Sequence, residues 1–262
     1  MLGSRHVAYL DAGSPEGRVL MLLHAFPLTA EMWRPQLDAP PGGWRVVAPD
    51  FAGLGRSDDR ESDSVSLDDY AVDVIGLADR LAIPRFVAAG LSLGGYVALA
   101  LARLAPDRLD GLVLADTKAP ADSAEARAGR EKMLATLSER GAGGVADEML
   151  PRLLGPTTRR ERPEVVEEVR SLILTNNPEG IRHAILRLRD RPDAVPVLPR
   201  IEMPTLVLVG EEDEVTPLAE AQRMQHAVAG ARLETIPAAG HLSNMEHPGA
   251  FTAALSRFLS TL

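Results

Sequence analysis

At 262 residues and 45% hydrophobic content, the chain is long enough to bury the core of one α/β domain with an insertion, or of two small domains, and too apolar to be disordered. Its net charge of −9 argues against nucleic acid or an anionic membrane surface as a partner. The absence of cysteine removes thiol nucleophiles, disulfides and thiolate metal sites.

Met1 to His6 lacks the charged start and apolar core of a signal peptide, and no segment has the apolar length of a membrane span. A cytoplasmic protein, monomeric by default, is therefore expected. Arg5 to Asp11 reads as an edge strand and Val19 to Leu23 as a fully buried one. Arg45 to Ala48 is a further strand, running into a turn-rich loop from Pro49 to Asp58, in which Asp50, Ser57 and Asp58 are expected to stabilise turns. Leu67, Tyr70, Val74, Leu77 and Leu81 repeat at spacings of three and four, so a helix follows, with Ser66 as its N-cap. Phe86 to Ala89 is a short buried strand, and the helix behind it buries Val97, Ala100, Leu101 and Leu104 before Pro106. Gly111 to Asp116, Pro204 to Gly210 and Ala231 to Pro237 supply the remaining strands. The closing helix starts near Pro248 and carries Phe251, Leu255, Phe258, Leu259 and Leu262 on one face. Strands alternating with amphipathic helices predict a mostly parallel sheet covered on both faces.

From about Lys118 to Pro199 the strand pattern stops. Four apolar-faced helical stretches are predicted there, around Met133–Leu137, Val145–Leu153, Val165–Ile173 and Ile181–Leu188, separated by Gly155-Pro156, Pro163 and Pro178. A purely helical insertion between core strands is expected to form a cap over the carboxyl ends of the strands, where open parallel sheets bind ligands. Residues 1–117 and 200–262 then make the core and 118–199 the cap.

The chemistry centres on Gly90-Leu91-Ser92-Leu93-Gly94. A serine on a sharp strand-to-helix turn, with glycines two before and two after, is the nucleophile elbow pattern. A hydroxyl needs a base to take its proton and a carboxylate to orient that base. Of the six histidines, His241 follows the last strand on a glycine-bearing loop, while His6, His183, His226 and His247 lie away from the converging strand ends and His24 is expected to tie down its own loop. Two acids remain open: Asp213, after the strand that precedes the His241 loop, and Asp116, at the end of an earlier strand. Neighbouring consecutive strands favour Asp213. The backbone N–H groups of Leu93 and Phe26 are the expected oxyanion donors, since Pro27 has none. Phe26, Leu28, Met149, Leu153, Ile185, Val215 and Leu242 are the expected pocket residues, giving a mainly aliphatic site. There is no P-loop, dinucleotide fingerprint or His-Glu-x-x-His pattern, so no cofactor or metal is implied.

Together His24-Ala25-Phe26-Pro27, the Pro49-Asp50…Gly53-Leu54-Gly55-Arg56-Ser57 loop, the Ser92 elbow, Gly210…Asp213…Thr216-Pro217 and Ala239-Gly240-His241-Leu242 resemble an α/β-hydrolase fold serine hydrolase over nearly the whole chain. Within that family the chain is most similar to small bacterial carboxylesterases with a helical cap. Leu114-Ala115-Asp116-Thr117 and the run from Ala239 to Glu246 also resemble 3-oxoadipate enol-lactonases, although His24-Ala25-Phe26-Pro27 departs from the Asn-Ser-Leu-Gly type of stretch those enzymes carry. The resemblance implies hydrolysis of a small carboxylic ester of short to medium acyl chain through an acyl-enzyme. A lactonase acting on an anionic substrate, held by cap arginines such as Arg152, Arg187 or Arg189, is the alternative. A slow-turnover ligand receptor on the same fold is the reading from a different class.

Overall fold

Alternation along the strands decides the layers. The computed structural model describes residues 6–59 and 65–262, so the expectations placed on Met1 to Arg5 lie outside the described residues. In chain order the first half consists of β1 (Tyr9–Gly13), β2 (Arg18–Leu23), α1 (Arg34–Asp38), β3 (Trp44–Pro49), α2 (Leu67–Arg80), β4 (Phe86–Leu91), α3 (Leu93–Leu104) and β5 (Leu109–Ala115). Four helices follow without a strand, α4 (Ala124–Leu153), α5 (Pro156–Glu161), α6 (Pro163–Leu174) and α7 (Pro178–Arg189). The chain then closes with β6 (Thr205–Gly210), α8 (Leu218–Ala227), β7 (Arg232–Ile236), α9 (Ser243–Glu246) and α10 (Pro248–Leu259). The strands form a seven-stranded sheet in the order β1-β3-β2-β4-β5-β6-β7. Only β1 runs antiparallel, against β3.

Successive side chains in a strand point to opposite faces. Met21 and Leu23, Phe86 and Ala88, Leu112 and Leu114, and Val207 and Val209 pack on one face of the sheet, together with α2, α3 and α8. Leu20 and Leu22, Val87 and Ala89, Val113 and Ala115, and Leu206 and Leu208 face the other way, together with α1 and α10. Because both faces are covered, these strands read as continuous apolar runs. The α2 helix begins at a capping box: Ser66 Oγ accepts from the Asp68 N–H at 3.2 Å, and the Ser66 N–H donates to Asp69 Oδ2 at 2.9 Å. The loop after β3 is tied down by Asp50, whose carboxylate accepts from the N–H groups of Ala30 and Arg56 at 2.8 and 3.0 Å.

One boundary differs from the sequence expectation. The edge strand starts at Tyr9, where antiparallel pairing with Pro49 begins. The first two helical stretches of the insertion, spanned by α4, remain two helices on either side of Gly141, whose backbone (φ 64°, ψ −164°) is non-helical and open to glycine. The insertion is not an independent core. Val145, Ile181, Ala184, Ile185 and Leu188 join the cluster on one face of the sheet, and Leu150, Leu153, Val165, Val169 and Ile173 join the cluster on the other. Among the described residues no helix is long and apolar enough to cross a membrane.

The first turn of α7 lies hard against the loop after β3. A Cβ built on Gly180 would fall 1.6 Å from the Gly53 carbonyl oxygen, and backbone cannot step aside as a flexible side chain can. Gly180→Ala is therefore expected to destabilise the protein by about 1–3 kcal/mol, a fall in Tm of roughly 3–10 °C, although alanine is the better helix former. Gly249→Ala, in α10 and with nothing within 4 Å of its added Cβ, is the control and should leave Tm level or raised. Thermal denaturation of the two variants against wild type checks this.

Candidate active site

Ser92 is the single residue between β4 and α3, and its backbone sits at φ 55°, ψ −110°. That conformation is costly for a non-glycine residue, by about 1–3 kcal/mol. Several contacts hold it. The Ser92 N–H donates to the Ala115 carbonyl at 2.9 Å, and the Ser92 carbonyl accepts from the N–H of Gly95 at 2.9 Å and the hydroxyl of Thr117 at 2.9 Å. The flanking glycines let strand and helix cross. A Cβ at Gly90 would lie 2.0 Å from the Gly94 carbonyl oxygen, and one at Gly94 would lie 2.0 Å from that of Leu23.

The loop after β7 brings His241 to this turn. Ser92 Oγ lies 2.8 Å from His241 Nε2, and His241 Nδ1 lies 2.9 Å from Asp213 Oδ2. With the proton on Nδ1, the ring donates to Asp213 and accepts from Ser92, the polarity needed for a base that takes a hydroxyl proton. Asp213 stands in the loop after β6. Its Oδ1 accepts from the N–H groups of Val215 and Thr216 at 2.8 and 3.0 Å, and its Oδ2 accepts from the Thr216 hydroxyl at 2.7 Å. Burial pushes this carboxyl up. The adjacent His241 and the donors from Thr216 outweigh that and hold it below the usual carboxylate range, so it stays ionised.

Asp116, the other acid weighed from the sequence, does not meet the imidazole. It caps the end of β5 at φ 44°, where its carboxyl accepts from the Gly210 N–H at 2.7 Å and from the Ser243 hydroxyl. It thereby ties the end of β5 to β6 and to α9. Complete burial, with Asp213 nearby, pushes its carboxyl well above the usual range. Two carboxylates at one sheet edge are thus driven apart: one carries charge, the other resists it. His24, for its part, donates from Nδ1 to the Ala25 carbonyl at 3.0 Å and accepts the Phe51 N–H on Nε2 at 3.0 Å, and burial lowers its pKa. It is a neutral brace between two loops.

A cavity of about 680 Å³ opens above Ser92 and His241. Phe26, Met149, Leu153 and Val215, expected from the sequence, line it, and Leu93 begins α3 directly behind the serine. Leu28, Ile185 and Leu242 do not line it. The Leu28 N–H closes a turn onto the Ala25 carbonyl at 2.9 Å, and the side chain is buried in the face cluster with Trp33. Ile185 belongs to the buried stripe of α7, whereas Leu188, one turn later, reaches the cavity. Leu242 is buried in the same face cluster as Met245 and Phe251. Of the arginines considered, Arg152 lines the cavity. Arg187 is fully buried over the Tyr70 ring at 4.5 Å, and Arg189 is held at the surface by Glu131 and Asp190. The wall is also more polar than the aliphatic pocket expected, because Lys118, Asp122, Glu125, Arg130, Lys132 and Glu148 join it.

A family model described as alpha/beta hydrolase fold matches residues 18–248. The chain belongs to that family. Among solved α/β-hydrolases, a thermophilic esterase from Thermogutta terrifontis is 39% identical, with a TM-score of 0.93 over 98% of this chain and 94% of that one. The enol-lactonase from Burkholderia xenovorans is 28% identical, with a TM-score of 0.91 over 98% of each chain. The 3-oxoadipate enol-lactonase 2 of Acinetobacter baylyi is 29% identical over 94% of this chain and 90% of its own length.

Sequence reasoning overlooked three supporting groups. Thr117 holds the Ser92 carbonyl, Thr216 donates to Asp213, and the buried Glu246 accepts from the N–H groups of Leu242 at 3.0 Å and Gly155 at 2.7 Å, clipping the helical insertion to the His241 loop. The Asp213-x-x-Thr216 spacing of an Asx-type turn was the available signal for one of them. The geometry predicts unequal losses at the two acids. Asp213→Asn should lower kcat by about 10⁴, because an amide favours the wrong imidazole tautomer and leaves the imidazolium unbalanced. Asp116→Asn replaces a carboxyl that already resists ionisation, so turnover should stay within about tenfold of wild type. Steady-state kinetics of both variants on one ester, with circular dichroism to verify folding, decides the order.

Proposed function

We propose that this α/β-hydrolase is a serine carboxylesterase that cleaves small esters through an acyl-enzyme. The observation that carries the reading is the Ser92–His241–Asp213 relay opening onto a cavity large enough for a small ester. The likeness to the Thermogutta esterase supports it.

Ser92 Oγ attacks the ester carbonyl while His241 Nε2 takes its proton, and Asp213 balances the imidazolium. The negative charge that develops on the carbonyl oxygen is met by the N–H groups of Leu93, at the positive end of α3, and Phe26. Collapse expels the alcohol, which receives the proton from His241. A water activated by the same imidazole then attacks the acyl-serine and returns Ser92 to its hydroxyl form. Residues 118–199 act as the cap, presenting Met149, Leu153 and Leu188 to the acyl chain opposite Phe26 and Val215.

A second reading, lactone opening by the same relay, is favoured by the enol-lactonase relatives and by the cations on the cavity wall. The two share every chemical step and differ in whether the leaving alcohol stays tethered.

The test is a p-nitrophenyl ester series from acetate to laurate, with Ser92→Ala beside wild type. Each buried methylene contributes ~0.8 kcal/mol, or about fourfold in kcat/KM, until the pocket is full. The expected outcome is a peak near butyrate or hexanoate and a steep fall by laurate. The serine variant should lose on the order of 10⁶ in kcat. Activity of Ser92→Ala within tenfold of wild type would overturn the assignment. Turnover confined to lactones would replace the ester reading with the second one.

A further inference from the structure

Lys118 and Lys132 are the only lysines of a chain that otherwise uses arginine, and both line the cavity above Ser92. Lys118 follows Thr117, the residue that holds the Ser92 carbonyl, so it stands at the mouth of β5 beside the nucleophile turn. It is half-buried and forms no ion pair among the described residues. Burial holds its ammonium below the usual lysine range, and the nearby Arg191 guanidinium pushes it further down.

Three cations, Lys118, Arg130 and Arg191, gather around Asp122, and Glu220 is a second carboxylate within electrostatic reach of Lys118. Asp122, 1% exposed, lies 3.1 Å from Arg191 Nη2 through Oδ1 and accepts from Arg130 Nε at 3.1 Å through Oδ2. Arg191 is equally buried, stacked over the Tyr96 ring at 4.1 Å, and none of its guanidinium nitrogens has a well-directed hydrogen-bond acceptor. Asp122 is thus shared by two guanidiniums, and Glu220 pairs with Arg223 at 2.8 Å, so neither carboxylate forms an ion pair with Lys118. Lys118 is therefore a half-buried cation without an ion pair among the described residues, and an anion in the cavity would offset its desolvation.

Lys118, Arg130 and Asp122 form the part of this cluster that lines the cavity. Lys132 and Arg152, both exposed and without ion pairs among the described residues, line the same cavity and favour the approach of an anion to a molecule whose net charge is −9. The two remaining acids on the wall do not cancel this. Glu148 accepts the Thr136 hydroxyl at 2.7 Å, and Glu125 is exposed in the first turn of α4, where the helix dipole favours it.

We propose that Lys118 and Arg130 form a carboxylate-binding subsite, and that the preferred substrates are esters carrying a second, free carboxylate. The proposal rests on the hydrolase reading for its chemistry, and on Lys118, Arg130, Arg191 and Asp122 for its specificity. The carboxylate would sit between the Lys118 ammonium and the Arg130 guanidinium, giving Lys118 the ion pair it lacks among the described residues, while the ester carbonyl lies at Ser92.

The test compares p-nitrophenyl pentanoate with the p-nitrophenyl half-ester of glutaric acid, which adds one carboxylate to an acyl chain of the same length. The half-ester should have the higher kcat/KM by about tenfold or more, the scale of one charge-assisted hydrogen bond. Lys118→Met should bring the ratio of the two kcat/KM values close to one, Lys118→Arg should preserve most of it, and raised salt should narrow it. A ratio near or below one in wild type, or one that Lys118→Met leaves unaltered, overturns the subsite and leaves the hydrolase reading standing. Loss of the hydrolase reading would show differently, as an absence of Ser92-dependent turnover of either ester. In that event calorimetric titration with glutarate still decides the subsite: affinity at least tenfold weaker in Lys118→Met supports it, and no binding or equal binding overturns it.

Discussion

The backbone turn at Ser92 is the constraint on which the rest of the site depends. Its positive φ would not survive on its own, and what over-determines it is the parallel sheet around it. The Ala115 carbonyl accepts the Ser92 N–H from the neighbouring strand, Thr117 holds its carbonyl, and the Gly90–Gly94 crossing lets α3 leave at a sharp angle. The strain therefore resides in a framework with two packed faces and little room to relax. The same turn lifts the hydroxyl into the cavity and puts the Leu93 amide at the start of a helix. One local geometry thus positions both the hydroxyl and the backbone N–H that the proposed reaction would use as nucleophile and oxyanion donor.

The strands and the relay were legible in the sequence because each is a short-range pattern. Apolar runs such as Leu20 to Leu23 and Leu206 to Val209 carry residues for both faces of the sheet, and Gly90-Leu91-Ser92-Leu93-Gly94 carries its own turn. Asp213 was preferred over Asp116 on strand adjacency, and the structure sets Asp213 on His241 Nδ1. The cavity wall was far less legible. Whether Ile185 or Leu188 faces the cavity depends on the rotation of α7 against the sheet, which periodicity alone leaves open because both lie on its apolar face. Leu28 and Leu242 sit beside site residues in sequence, yet in irregular loops neighbouring side chains diverge. Lys118 and Lys132 are the chain's only lysines, but composition carries no position, and only the fold brings them to one cavity.

Buried carboxyls organise the edge of the sheet beyond the relay. Asp213 keeps its charge because His241 and three donors surround it, whereas Asp116 joins β5, β6 and α9 with a carboxyl that burial drives toward its neutral form. Glu246 is also pushed up by burial, against the N–H donors that it accepts from Gly155 and Leu242. It joins the histidine loop to the helical insertion, and Glu212 adds a second tie to Thr157. His241 and the helices that line the cavity are therefore positioned by one set of polar contacts. Displacing those helices would disturb the imidazole as well as the cavity.

The central claim is that Ser92 is a nucleophile activated by its surroundings, as an ordinary serine hydroxyl is not. The most direct measurement is covalent trapping with an aryl phosphonate, read by intact mass and peptide mapping. The account predicts one adduct per chain, on Ser92, formed in step with the loss of ester turnover and much slower in His241→Ala. Labelling of a different residue, or full activity in protein whose Ser92 is completely modified, would contradict it.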